Sequence, residues 1–166
     1  VSTLRESGVR DVHVVRGYRK EAVDLPNITT LDNDSYETTG EAASLACALD
    51  QIEGDCVIAY GDILFRRYIL DNLLQADGDI VVGVDAMWRE RTGQTAERVR
   101  DLVQASAPFS PSYLDDEPVL LQRVAHDLAG DDISGEWVGL AKLSARGSEL
   151  LCAEIAAMRE DGSLAT

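Results

Sequence analysis

Short apolar runs alternate with stretches of helical spacing along the whole chain. The run "VRDVHVV" (9 to 15), rich in β-branched residues and bounded by Gly8 and Gly17, predicts a strand. "ITTLDN" (28 to 33) predicts a second, weaker one. Over 41 to 52 the residues Ala42, Leu45, Leu49 and Ile52 fall on one face with Ala spacers, which predicts a helix. Gly40 precedes it, and Thr38 or Thr39 is placed to cap its first turn. "CVIAY" (56 to 60) predicts a buried strand, apolar on both faces. "RRYILDNLLQ" (66 to 75) predicts an amphipathic helix, and "DIVVGVDAMW" (79 to 88) another apolar strand. Residues 89 to 117 are polar and Pro-containing, an irregular excursion with a short helix near 95 to 104. A helix over 118 to 129, a strand over 135 to 144 and a helix over 145 to 161 complete the pattern. The opening "VSTLRESG" has the look of the last turns of a helix.

Strands alternating with helices imply crossover connections, and so a layered α/β domain with a mainly parallel sheet. At 166 residues the chain has the length of one domain. Composition narrows the partners. Thirty Asp and Glu against 15 Lys and Arg give a net charge of −15. Such a field repels nucleic acid and anionic membrane surfaces, and an anionic substrate needs a metal ion or local cations. Most of the acids are simply solvated surface. The three cysteines, Cys47, Cys56 and Cys152, are far apart and lack metal-ligand spacing, which suits buried free thiols in a reducing, cytoplasmic setting. No apolar run approaches membrane-spanning length.

Two of the best predicted strands end in acids. In "YGDILF" Gly61 precedes Asp62, and the 79 to 88 run contains Asp85. Ligands of open α/β sheets bind beyond the carboxyl ends of the strands. Magnesium takes oxygen ligands, commonly one or two carboxylates plus substrate phosphate, so Asp62 and Asp85 are candidate Mg²⁺ ligands. An Asp after a strand is also an ordinary turn residue. The glycine before Asp62 lets a phosphate approach the backbone. Neither His13 nor His126 stands near a Ser or Cys in a nucleophile-like arrangement.

"YGDILF" followed by "DIVVGVDAMW" resembles the nucleotidyltransferases of GT-A type, particularly the small cytidylyltransferases that act on phosphocholine and phosphonates. "GVRDVHVVRGYRKEAV" is similar to their second strand and its basic turn, here Gly17, Tyr18, Arg19 and Lys20. "NDSYETTGEAASLACAL" is similar to the segment lining the nucleotide pocket, with Asn33, Tyr36, Thr39, Gly40, Glu41 and Ser44 at matching positions. "GEWVGLAKLS" resembles the strand whose Gly135, Glu136 and Trp137 approach the acceptor. The likeness is nearest to cytidylyltransferase domains fused behind phosphoenolpyruvate mutase in fosfomycin biosynthesis. It touches residues 1 to 158.

The resemblance implies a three-layer α/β/α fold, GT-A or Rossmann-like and shortened at both ends. It implies transfer of CMP from CTP to a phosphonate such as 2-hydroxyethylphosphonate, with Mg²⁺ as cofactor. Asp62, Lys20 and Arg89 are then the expected catalytic groups. Asn33, Thr39, Gly40, Glu41, Ser44 and Gly61 are expected at the nucleotide, and Asp85, Trp88, Glu136, Trp137 and Arg19 at the acceptor. Glu41 suits first-turn stabilisation of a helix equally well, Ser44 a packing role, and the aromatic residues a core. Implied partners are CTP, the phosphonate, a fused mutase domain and further copies of the chain. The abrupt start at Val1 is that expected of a domain cut from a longer fused chain.

Two departures bear on turnover. The family's first strand with its Gly-rich phosphate loop has no match, and neither has its late acidic metal ligand. A phosphocholine or sugar-1-phosphate nucleotidyltransferase, or a non-catalytic binding or oligomerisation module, therefore stand as alternatives.

Overall fold

The computed structural model describes residues 1–91, 101–112 and 117–165. Its strands are β1 (His13–Arg16), β2 (Thr29–Asp32), β3 (Cys56–Ala59), β4 (Ile80–Asp85), β5 (Leu102–Ala105), β6 (Leu121–Ala125) and β7 (Gly135–Leu143). Its α-helices are α1 (Ser2–Glu6), α2 (Glu41–Ala46), α3 (Arg67–Gln75), α4 (Trp88–Arg91) and α5 (Ala145–Asp161). Strands β1 and β2 pair in parallel. The other five form a second sheet in the order β3-β7-β5-β6, with β4 also on β7. The chain divides into two compact units, one of Val1–Val57, Leu64–Val81 and Lys142–Thr166, the other of Ile58–Ile63 and Val82–Ala141.

The first unit is held by helices. Helix α3 buries Leu70 and Leu73, the face its spacing predicts, while Arg67 pairs with Asp71 on the outside at 3.3 Å. Helix α2 packs against β1 and α5, and α1 against α3. Helix α5 starts where its sequence predicts, because Ser144 caps it by accepting from Gly147 N at 3.1 Å. The same hydroxyl donates to Asp79 Oδ1 at 2.8 Å, and Asp55 Oδ1 accepts from Ala145 N at 2.9 Å. Gly162, at φ 81°, ends the helix in the left-handed region.

The second unit is a β-structure. Strand β5 runs antiparallel to both β6 and β7. Leu102, Val103, Leu140 and Ala141 are its buried apolar residues. Gly139 has φ 75°, and a Cβ there would collide with the Tyr60 ring, so only glycine fits both the bend and the ring. Tyr60 N donates to Gly139 O at 2.8 Å, which fixes the end of β3 on β7.

Several expectations are corrected. The expected mainly parallel sheet is met only in part: β1 pairs with β2 in parallel, whereas β5 pairs antiparallel with both β6 and β7. The segment predicted as a helix over 118 to 129 contains strand β6, and the helix predicted near 95 to 104 gives way to β5 over its last residues. Residues 95 to 100 of that prediction lie outside the described ones. Backbone pairing overrides the local preference in both places. Helix α2 stops at Ala46, with a separate 3-10 turn at Leu49–Gln51. Neither Thr38 nor Thr39 caps α2; both hydroxyls donate to Ser35 O instead, at 3.2 and 2.9 Å. Strand β4 ends at Asp85, and Trp88 begins α4. The three thiols are free but only half-buried.

Candidate functional site

In the first unit the site residues gather at the carboxyl ends of β1 and β2. Arg16 and Asp32 are register partners in the parallel pair. The Arg16 guanidinium donates to Asp32 Oδ1 from Nε at 2.9 Å, with Nη2 at 2.8 Å from the same oxygen, and its Nη1 donates to Lys20 O at 3.1 Å. The Lys20 ammonium lies 2.7 Å from Asp34 Oδ1 and 3.2 Å from Asp32 Oδ2. Hydrogen bonds to Asp34 and then Asp32 hold the Lys20 pKa above the ordinary lysine range. The bond from Lys20, then that from Arg16, hold the Asp32 carboxyl below the ordinary aspartate range. Arg19 sits in the left-handed region at φ 49°, its guanidinium 5.3 Å from the Tyr18 ring centre. Tyr18 meets Tyr36 edge-on at 6.4 Å.

The segment that follows β2 is organised around Asn33, which is buried. Its Nδ2 donates to Thr39 Oγ1 and to Ser44 Oγ, each at 3.1 Å, and its Oδ1 accepts from Ser35 N at 3.0 Å. Both N–H groups of the amide are thus occupied, one by Thr39 in the loop and one by Ser44 on α2. Gly40 and Glu41, at the start of α2, are exposed. The expected nucleotide residues Asn33, Thr39 and Ser44 are therefore brought together, as one hydrogen-bonded knot.

In the second unit, Gly61 and Asp62 form an exposed turn directly after β3. Asp62 makes no hydrogen bond or ion pair among the described residues. Asp85 ends β4 and accepts from Met87 N through Oδ1 at 3.0 Å. A Cβ at Gly135 would lie 3.0 Å from Asp85 O and collide with Val84, so the start of β7, with Glu136, abuts the end of β4. Arg89 donates from Nη2 to Gly130 O at 2.7 Å and stands 5.4 Å from the Trp88 ring centre. Trp137 packs on Tyr60 at 5.1 Å between ring centres and donates from Nε1 to Leu140 O at 3.1 Å. Its ring is therefore engaged in the fold of this unit.

Among the described residues no three His, Cys, Asp or Glu side chains cluster as a metal cage. Two carboxylates at strand ends still suit Mg²⁺, which usually keeps waters and borrows substrate oxygens. Sequence reasoning missed Arg16, Asp32 and Asp34. The signal was present, since an Arg and an Asp close two strands of equal length, but it becomes visible only once the parallel register is known.

No family model matches the chain. It is 22% identical over 161 residues to CTP:phosphoglutamine cytidylyltransferase of Campylobacter jejuni, an alignment taking in 87% of this chain and 58% of that protein. Among solved structures it is similar to CTP:phosphocholine cytidylyltransferase from Streptococcus pneumoniae, with a TM-score of 0.51 and 15% identity, covering 98% of this chain and 62% of that one. The chain thus spans about three fifths of the length of each, 58% and 62%. Over that length it has the α/β fold of the pneumococcal cytidylyltransferase.

Proposed function

We propose that this chain is the greater part of a cytidylyltransferase, which moves CMP from CTP onto an anionic phosphorus oxygen of an acceptor. The acceptor oxygen attacks the α-phosphorus in line, the bond to the bridging oxygen breaks, and pyrophosphate leaves. The acceptor is already ionised near neutrality, so no dedicated general base is needed. The protein's task is to align two anions and offset their charge. The observation that carries this reading is the exposed Asp62, free of hydrogen bonds and ion pairs among the described residues, on a glycine turn at the carboxyl end of β3, in a chain with a cytidylyltransferase's fold.

Asp62 and Asp85 are the residues that would hold Mg²⁺, which supplies neutralisation of phosphate charge when bound. Lys20, Arg19 and Arg89 provide local cations in an otherwise acidic chain. The Asn33 knot sets Thr39, Gly40, Glu41 and Ser44 for the nucleoside, where Ser44 and Glu41 meet the polar edge of cytosine. Glu136, Trp88 and Trp137 are assigned to the acceptor on the family resemblance of their segments. The finer reading is a phosphonate acceptor, 2-hydroxyethylphosphonate, in fosfomycin-type biosynthesis in the cytoplasm beside a fused phosphoenolpyruvate mutase domain. Its support is the ordered set of motifs at 17 to 20, 33 to 44, 61 to 65 and 135 to 137.

Calorimetric titration with CTP, CMP and Mg²⁺ tests the coarse reading, and a scaffold shows no cytidine binding. Pyrophosphate release with 2-hydroxyethylphosphonate against phosphocholine decides the acceptor. Asp62→Asn is expected to abolish Mg²⁺-dependent release while the thermal transition is kept. Retained turnover removes Asp62 from the mechanism.

A further inference from the structure

The two cations at the ends of β1 and β2 do not form an open anion site. Arg16 and Lys20 face Asp32 and Asp34, so the four charges cancel. The two acids differ in how firmly they are held. Asp32 belongs to β2, is in register with Arg16 and is gripped from two nitrogens of that guanidinium as well as by Lys20. Asp34 lies beyond the strand, its side chain is 80% exposed, and among the described residues Lys20 is its one polar side-chain partner. A rotation of the Asp34 side chain therefore frees the nearer of the two carboxylate contacts of the ammonium, while Asp32 stays in place.

We infer that Asp34 is a built-in competitor of the nucleotide: its carboxylate occupies the Lys20 ammonium in the empty protein, and a polyphosphate must displace it to use that charge. This rests on the reading above, in which Lys20 is one of the local cations that offset the charge of the anionic ligands. An exposed ion pair contributes little, so a ligand presenting several phosphate oxygens displaces it, whereas a dilute monoanion gains almost nothing by doing so. The location fits, because the carboxyl ends of parallel strands are where such ligands arrive. The device tunes affinity and selectivity: Asp34 lowers the response to anions in general and returns to Lys20 when the polyphosphate departs.

The test uses inorganic tripolyphosphate as the probe, so that the base plays no part. Wild type, Asp34→Asn, Lys20→Gln and the double variant are titrated calorimetrically at one ionic strength, with Mg²⁺ present. Asp34→Asn is expected to bind about two- to fivefold more tightly than wild type, the weight of an exposed pair. That gain is expected to vanish when Lys20→Gln is added. Equal affinity of wild type and Asp34→Asn overturns the competitor, as does a gain that survives Lys20→Gln, or the absence of binding in all four proteins. CTP binding no tighter than tripolyphosphate on the wild type would instead strike the cytidine reading and leave the competitor standing.

Discussion

The amide of Asn33 has both N–H groups committed, to Thr39 in the loop it begins and to Ser44 on α2, and this decides what its substitution does. Asn33→Ala strands the Ser35 amide and removes the donor from two hydroxyls in a buried place. A loss of about 1–3 kcal/mol in urea unfolding is expected, before any effect on ligand. Ser44→Ala leaves one Asn33 N–H without its acceptor, so its stability loss must be measured beside any loss of cytidine affinity. Around Lys20 the sign of the pH effect is fixed by two opposite shifts. Asp32 titrates below its unfolded range, so its contribution is present above that range and is lost as pH falls through the lowered value. Lys20 titrates above its unfolded range, so its contribution is present below that range and is lost as pH rises through the raised value. The bridge thus acts across the span from about pH 4 to about pH 10. Asp32→Asn is expected to reduce stability within that span and to match wild type in stronger acid; a deficit independent of pH would assign Asp32 a packing role.

At the scale of elements, the sequence was legible wherever burial and local preference agreed. Helix α5 lies over the predicted 145 to 161, since Ser144 caps it and Gly162 stops it. Strands β3 and β7 and helix α3 likewise fall on their apolar runs. The failures share a cause. In "PVLLQRVAHDLA" the apolar residues recur at helical spacing, but Leu121 and Val124 are exposed, so the spacing never reported a buried face. What makes β6 a strand is its ladder to β5, a long-range fact absent from the local pattern. The candidate site was legible as residue types at strand ends, while the internal bonding of Asn33 and the pairing of Lys20 were not. Gly139 shows how an element fixes the approach to a candidate site residue. Its backbone accepts from Tyr60, two positions before Asp62. Gly139→Ala brings positive-φ strain and a collision with the Tyr60 ring, and is expected to cost about 1–3 kcal/mol in stability. A variant as stable as wild type would show that the ring simply moves aside.

For the whole molecule the dominant quantity is the charge of −15. Self-repulsion at that charge weakens the compact state, and salt screens it. The melting temperature is accordingly expected to rise between low and physiological ionic strength, and a fall would mean that pairs such as Arg16 with Asp32 outweigh the mean field. The same charge makes local cations matter more to an anionic ligand than they would in a neutral protein. No helix among the described residues is long and apolar enough to cross a membrane.

Strand β6 is the outermost member of its sheet among the described residues, and Leu121 and Val124 on it lie open to solvent. Such a rim is a template on which unfolded chains can add, strand upon strand, into insoluble ribbons. Concentrated stocks are therefore where this protein will precipitate first, with Val124→Lys as the gatekeeper that keeps it in solution.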